Sequence, residues 1–284
     1  MTFSSLAAAL GPVCADVFDA RAEAADIVSA LTGFSEASIL ARGRVPLPPE
    51  IGEEAERILK RRLAREPLAY ILGRRDFYGV TIKAREGVLI PRQETEYLAD
   101  ALVRVLPQGG RFADVCCGSG AIACAVLAAR PDATAAAFDV SPDALALTRE
   151  NAAALGVADR LEVAAADIRD ADALGAYTEG FDAAACNPPY IRTAELESLQ
   201  PEVRREPALA LDGGTDGLDL VRCAFLRLMS IVKPGGFAVV ETGADTAGGA
   251  LSYAAALGGR TGRFAASLHP DFSGVLRYIE LRFG

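Results

Sequence analysis

The chain has 284 residues, 51% of them hydrophobic, which suffices for one large core domain and a smaller one. A formal net charge of -9 argues against a protein that coats nucleic acid, because phosphate binding needs clustered Lys and Arg. Six cysteines with no C-x-x-C spacing and a single histidine, His269, speak against a zinc site and for a reduced, cytoplasmic protein.

In chain order, the apolar stretch Leu6 to Ala15 has no basic residue before it and a Gly-Pro within it, so no secretory signal is expected. No run reaches the length of a membrane span. Residues 1–75 read as a small helical domain, Ala-rich and broken at Gly33, Gly43 and the cluster Pro46, Pro48, Pro49. Ser35 is the expected N-cap of one helix, and Glu53 to Glu66 carries Ile58, Leu59 and Leu63 on one face. Between Arg57 and Arg85 nine basic residues face two acidic ones, Glu66 and Asp76. Such a run is either a solvated surface or a basic face for an acidic partner. Residues 76–90 form the expected hairpin linker: Phe77 to Lys83 alternates around Gly79, and Val88, Leu89 and Ile90 run as a strand into Pro91.

Residues 91–284 make the large domain. After a helix beginning near Glu94 to Glu96, the period changes to strand, tight turn, helix. Strands are expected at Phe112 to Cys116, Ala133 to Asp139, Leu161 to Ala165, Phe181 to Cys186 and, after the turn Lys233-Pro-Gly-Gly236, Phe237 to Glu241. That pattern is a doubly wound α/β sheet. Gly262 to Leu268 and Val275 to Phe283 add an antiparallel edge at its C-terminal end. Residues 191 to 218 make a loop too long for a mere connection, and loops of that length are usually functional.

Three stretches carry chemistry. Asp114-Val-Cys-Cys-Gly118-Ser-Gly120 follows the first strand and opens a helix, and Asp139 ends the second strand. Glycines there let a ligand approach the backbone, and the acid suits both hydroxyls of a ribose, in NAD or another adenosine cofactor alike. Asp167 suits an adenine amino group or, equally, a helix N-cap. Asn187-Pro-Pro-Tyr190 ends the fourth strand, which two prolines cannot continue. If the Asn187 side-chain oxygen and the Pro188 carbonyl each accept one N–H of an NH2 group, its nitrogen is aimed at an electrophile, and Tyr190 is suited to stack on a planar amide or base.

With these residues in place the chain resembles the S-adenosylmethionine-dependent methyltransferases with a Rossmann-like sheet, and among them the protein N5-glutamine methyltransferases that modify peptide-chain release factors. Arg65-Glu-Pro-Leu-Ala-Tyr-Ile-Leu-Gly73 with Phe77-Tyr78, then Leu89-Ile-Pro-Arg-Gln-Glu-Thr-Glu96, then Glu206-Pro-Ala-Leu-Ala-Leu and Asp216-Gly-Leu, are similar to that family's signatures. The resemblance implies S-adenosyl-L-methionine on Cys116, Cys117, Gly118, Ser119, Gly120, Asp139, Asp167, Ile168 and Asn187, with S-adenosyl-L-homocysteine as product. It also implies a glutamine held by Asn187, Pro188, Pro189 and Tyr190, within the Gly-Gly-Gln tripeptide of a class 1 release factor gripped by the helical domain. No metal, membrane or nucleic-acid partner is implied. The chain departs from the family pattern at Cys116, at Ile168 and after Glu241. Competing readings are an amino-methyltransferase acting on a nucleic-acid base or a ribosomal protein, a non-catalytic cofactor-binding module, and a dehydrogenase, which leaves Asn187 to Tyr190 without a role.

Overall fold

The computed structural model describes the backbone of residues 1–284 and every side chain except those of Val17 and Phe18. The chain divides into two compact units. The first comprises Met1–Arg74 together with Gln200–Arg205, and the second Arg75–Leu199 with Glu206–Gly284.

In the first unit, α1 (Phe3–Leu10), α2 (Val17–Thr32), α3 (Glu36–Ala41), α4 (Pro49–Leu63) and α5 (Leu68–Leu72) close around Leu6, Leu10, Ile27, Val28, Ile39, Ala55 and Ile58. Ser35 caps α3, its hydroxyl accepting the Ser38 N–H at 3.4 Å. α4 begins at Pro49, where proline is pre-set for a helix start, and so lies earlier than a start at Glu53. Its inward stripe is Ala55, Ile58 and Arg62, while Leu63, expected inside, is 42% exposed. A buried arginine displaces the leucine because it is met by charge: its Nε donates to Glu23 at 2.8 Å, its Nη1 to Glu202 at 2.5 Å and its Nη2 to the Val13 carbonyl at 3.2 Å. Arg65 also pairs with Glu202, Arg61 with Glu66 and Arg57 with Glu54, and in the second unit Arg85 pairs with Glu150. Five of the nine basic residues between 57 and 85 are thus paired within the chain, while Lys60, Arg74, Arg75 and Lys83 are exposed.

The second unit opens with a hairpin, β1 (Arg74–Phe77) and β2 (Val80–Lys83), turning through Tyr78 and Gly79 with φ of 44° and 80°. Phe77 and Ile82 join its core. Val88 to Ile90 is irregular, not a strand, and the chain stays so until α6 (Glu96–Val105). Then follow β3 (Arg111–Val115), α7 (Ala121–Ala129), β4 (Thr134–Asp139), α8 (Pro142–Ala154), β5 (Leu161–Ala165), β6 (Phe181–Cys186), α9 (Asp219–Ile231), β7 (Val232–Glu241), α10 (Ala247–Thr261), β8 (Phe264–Pro270) and β9 (Leu276–Phe283).

These seven strands from β3 onward make one sheet in the order β5-β4-β3-β6-β7-β9-β8, in which β9 alone is reversed and pairs antiparallel with β7 on one side and β8 on the other. It is the doubly wound sheet with an antiparallel C-terminal edge that the periodicity predicts. Along β6, Ala183 and Ala185 face the cluster of α6 and α7, while Ala184 and Cys186 face α9 and α10, so both faces are dry. The Lys233-Pro-Gly-Gly236 turn is absorbed into β7 as a bulge: Phe181 pairs with Val232, but Ala183 pairs with Phe237. Among the described residues no helix is long and apolar enough to cross a membrane.

Candidate active site

The strand order reverses between β3 and β6, which are neighbours with Val115 opposite Cys186. Ligands of open α/β sheets bind in the crevice where the order reverses, beyond the carboxyl ends of the strands. Here that crevice is a cavity of about 450 Å³. Cys116, Gly118, Asp139, Asp167, Ile168, Asn187 and Pro189 all line it, brought from the ends of β3, β4, β5 and β6. Cys117, Ser119, Gly120, Pro188 and Tyr190 do not.

The turn after β3 is held from beneath by α8. Thr148 Oγ1 donates to the Gly118 carbonyl at 3.0 Å, and buried Asn151 donates to the Ser119 carbonyl at 2.9 Å. A Cβ on Gly120 would stand 2.6 Å from Thr148, so this glycine answers to packing rather than to the cavity. Cys116 occupies the left-handed region at φ 60°, a conformation that costs a non-glycine residue roughly 1–2 kcal/mol. Its side chain packs with the cluster that contains Cys186, and the hydrogen bond with the Cys186 thiol, followed by burial, pushes its own thiol up.

Asp139 accepts the backbone N–H of Gly118 and of Ser141, each at 2.9 Å, and burial raises its carboxyl above the usual range. Asp167 caps no helix. It accepts the Arg169 backbone N–H at 3.0 Å and pairs with the Arg169 guanidinium, which holds its carboxyl low. Asp114, wholly buried in β3, accepts the Ala123 N–H at 3.0 Å through one oxygen while the other has no partner; desolvation pushes it up to about 7.

Asn187 belongs to a polar chain, buried at Thr95 and Glu241 and half-buried at Asn187 and Tyr190, that joins three elements. Its Nδ2 donates to Thr95 Oγ1 at 3.1 Å, and Thr95 in turn donates to Glu241 Oε2 at 2.8 Å. Tyr190 donates its phenol to Glu241 Oε1 at 2.9 Å. Glu241 is 1% exposed and ends β7; burial raises its carboxyl, opposed by these two hydroxyl donors and by Arg277. Tyr190 is thus committed to a carboxylate and to the core beneath it, and burial beside that carboxylate raises its phenol. Sequence reasoning named Thr95 and Glu241 only inside longer signatures. The available signal was an acid closing the apolar run Phe237 to Val240 on a buried strand.

The loop beyond Tyr190 folds back on it. Ile191 pairs with Asp212 as an isolated parallel bridge, and a Cβ on Gly213 would meet the Tyr190 Cα at 2.7 Å. Glu206, also buried, accepts the Ile90 N–H at 2.9 Å and binds Arg92. It thereby anchors the Pro207 to Ala210 wall of the cavity to the segment before α6.

The profile of the Methyltransferase small domain family matches residues 79–208, a span that holds the β3 turn, Asp139 and Asn187 to Tyr190. The chain is a methyltransferase. The PrmC N-terminal domain profile matches residues 14–73. Among curated proteins, the release factor glutamine methyltransferase of Neisseria gonorrhoeae is 37% identical, over 90% of this chain and 91% of that one. Proteins of the same name from Geobacter sulfurreducens and Cereibacter sphaeroides are 36% and 40% identical, over 94% and 84% of this chain and 91% and 82% of theirs. This chain belongs to the release factor glutamine methyltransferase family. A crystal structure of TrmN from Thermus thermophilus aligns at 22% identity and a TM-score of 0.47, over 66% of this chain and 48% of that one.

Proposed function

We propose that this enzyme methylates the side-chain amide nitrogen of a glutamine, that of the Gly-Gly-Gln tripeptide of a class 1 release factor, using S-adenosyl-L-methionine and releasing S-adenosyl-L-homocysteine. The names of the relatives support the substrate. The observation that carries the chemistry is the Asn187 to Thr95 hydrogen bond, which occupies the amide nitrogen and leaves Oδ1 to accept.

An amide nitrogen is a poor nucleophile because its lone pair is delocalised into the carbonyl. Asn187 Oδ1 and the Pro188 carbonyl each accept one substrate N–H, which turns the nitrogen lone pair toward the electrophile and makes those bonds strengthen as positive charge develops. Tyr190 does not stack on the substrate in this reading; its ring stiffens the clamp from behind. The surplus proton leaves to solvent once the carbon–nitrogen bond has formed, so no strong general base is needed.

The cavity suits the cofactor, whose contribution when bound is an electrophilic methyl group on a sulfonium. Its volume of about 450 Å³ lies within the range of roughly 300–1,000 Å³ common for such ligands. Gly118, at φ 55°, has no atom within 4 Å of where a Cβ would stand, so its backbone is open to a ligand. Each Asp139 oxygen accepts one backbone N–H and retains a lone pair for a ribose hydroxyl. Ile168 supplies an apolar wall, and Cys116 and Asp167 complete the set that would hold the cofactor. The helical unit is read as the part that recognises the partner. With a translation factor as substrate and six free cysteines, the enzyme works in the cytoplasm.

The test is incubation of the purified enzyme and methyl-labelled cofactor with a release factor and with its Gly-Gly-Ala variant. Label on the first alone is the expected result; equal label on both would overturn the assignment. Asn187→Ala should lower turnover at least on the order of 100-fold while leaving cofactor affinity near that of the parent.

A further inference from the structure

We infer that Thr95 and Glu241 are positioning residues for Asn187: they decide which end of its side-chain amide faces the substrate nitrogen. The inference rests on the reading of Asn187 as the clamp for an NH2 group and goes beyond it, because a clamp of this kind works in only one of two nearly isosteric states. Rotating the Asn187 amide by half a turn replaces an acceptor with a donor at the same place, so that two N–H groups meet and nothing is held.

Proton counting selects the productive state. Thr95 Oγ1 has one proton and lies 2.8 Å from Glu241 Oε2 and 3.1 Å from Asn187 Nδ2. Both oxygens of Glu241 accept hydroxyl protons, Oε2 from Thr95 and Oε1 from Tyr190. The Thr95 proton is therefore committed to Glu241, and a lone pair of Oγ1 faces Asn187. The nitrogen end of the amide satisfies that lone pair. The oxygen end would set two acceptors against each other where Thr95 is 5% exposed and water cannot relieve them.

The position of Thr95 supplies an independent observation. It stands at the N-cap of α6, where a threonine hydroxyl ordinarily accepts a backbone N–H of the first turn, yet it makes no such bond. Local structure leaves this hydroxyl without a helix role; the pair Glu241 and Asn187 gives it one. Tyr190, on the other carboxylate oxygen, keeps Glu241 in register with the same motif that carries Asn187.

The experiment compares Thr95→Val, which keeps the shape without the hydroxyl, with Thr95→Ser, which keeps the hydroxyl, and with Asn187→Ala. In the protein without substrate, the side-chain NH2 resonances of Asn187 should move in Thr95→Val and stay in place in Thr95→Ser. With substrate, Thr95→Val should lower kcat by about 10- to 100-fold with KM and cofactor affinity near those of the parent and a loss of Tm no larger than that of Tyr190→Phe, which removes the other donor to Glu241, and Thr95→Ser should recover most of the loss of kcat. Unmoved Asn187 resonances in Thr95→Val, or equal losses in the two Thr95 variants, overturn the inference, as does a loss of kcat that merely tracks Tm. If Asn187→Ala abolishes turnover while Thr95→Val turns over like the parent, the positioning role alone falls. If Asn187→Ala still turns over, the clamp itself falls.

Discussion

Arg62 in the first unit and Glu241 in the second are both buried charged residues, and they are accommodated in opposite ways. Arg62 of the helical unit is surrounded by opposite charge, Glu23 and Glu202, with the Val13 carbonyl as a further acceptor. Glu241 of the methyltransferase unit has no basic residue bound to it and is served by two neutral hydroxyls. Ion pairs hold position by attraction from several directions. Hydroxyl donors hold it by the placement of single protons, and so transmit orientation to the next group in the chain. The first arrangement builds a scaffold; the second sets a reactive amide.

The largest effect is expected at Arg62. Arg62→Met removes a cation from between two half-buried carboxylates, of which Glu202 keeps Arg65, so the helical unit should lose about 2–3 kcal/mol in denaturant unfolding, whereas Leu63→Lys, on the exposed side of the same turn, should change stability by less than about 0.5 kcal/mol. Tyr190→Phe removes one of the two donors to Glu241 and should cost about 1–3 kcal/mol by the same measurement, with turnover reduced because the clamp loses its backing.

Asp114 provides a test in pH. Its carboxyl is pushed up to about 7 from 3.8 by burial, so between those values the folded protein binds a proton that the unfolded chain has released. Stability from this group is greatest at the acid end and falls as pH rises toward 7. Unfolding free energies measured from pH 4.5 to 8 should therefore decline more steeply in the parent than in Asp114→Asn. A small effect is also expected at Arg61→Ala, which breaks a surface pair with Glu66 and should cost no more than about 1 kcal/mol.

The strands were legible where short apolar runs ended in residues no strand tolerates: β6 stops before Asn187-Pro-Pro and β5 runs from Leu161 to Ala165 as the periodicity predicts. The Val88 to Ile90 run reads as a strand because it is apolar, but among the described residues it lies outside every strand. Val88 instead packs with Ala144 and Leu147 of α8. Leu63 and Arg62 exchanged their expected places because a helical pattern ranks residues by polarity and cannot see Glu202, 140 positions away. The same blindness hid the relay. Asn187 and Tyr190 announce themselves as a motif, while Thr95 and Glu241 lie 146 residues apart and meet only when α6 docks on the sheet.

The first unit is not contiguous in the chain: it includes Gln200–Arg205, whose neighbours on either side belong to the methyltransferase unit. The two units therefore cannot be separated with a single cut. A fragment ending at Arg74 would carry Arg62 with Glu23 but without Glu202, and a chain beginning at Arg75 would keep Glu202 with neither of its arginines. Exchange of the helical unit between relatives, by recombination or by design, has to carry this six-residue passenger from the far side of the N-P-P-Y motif.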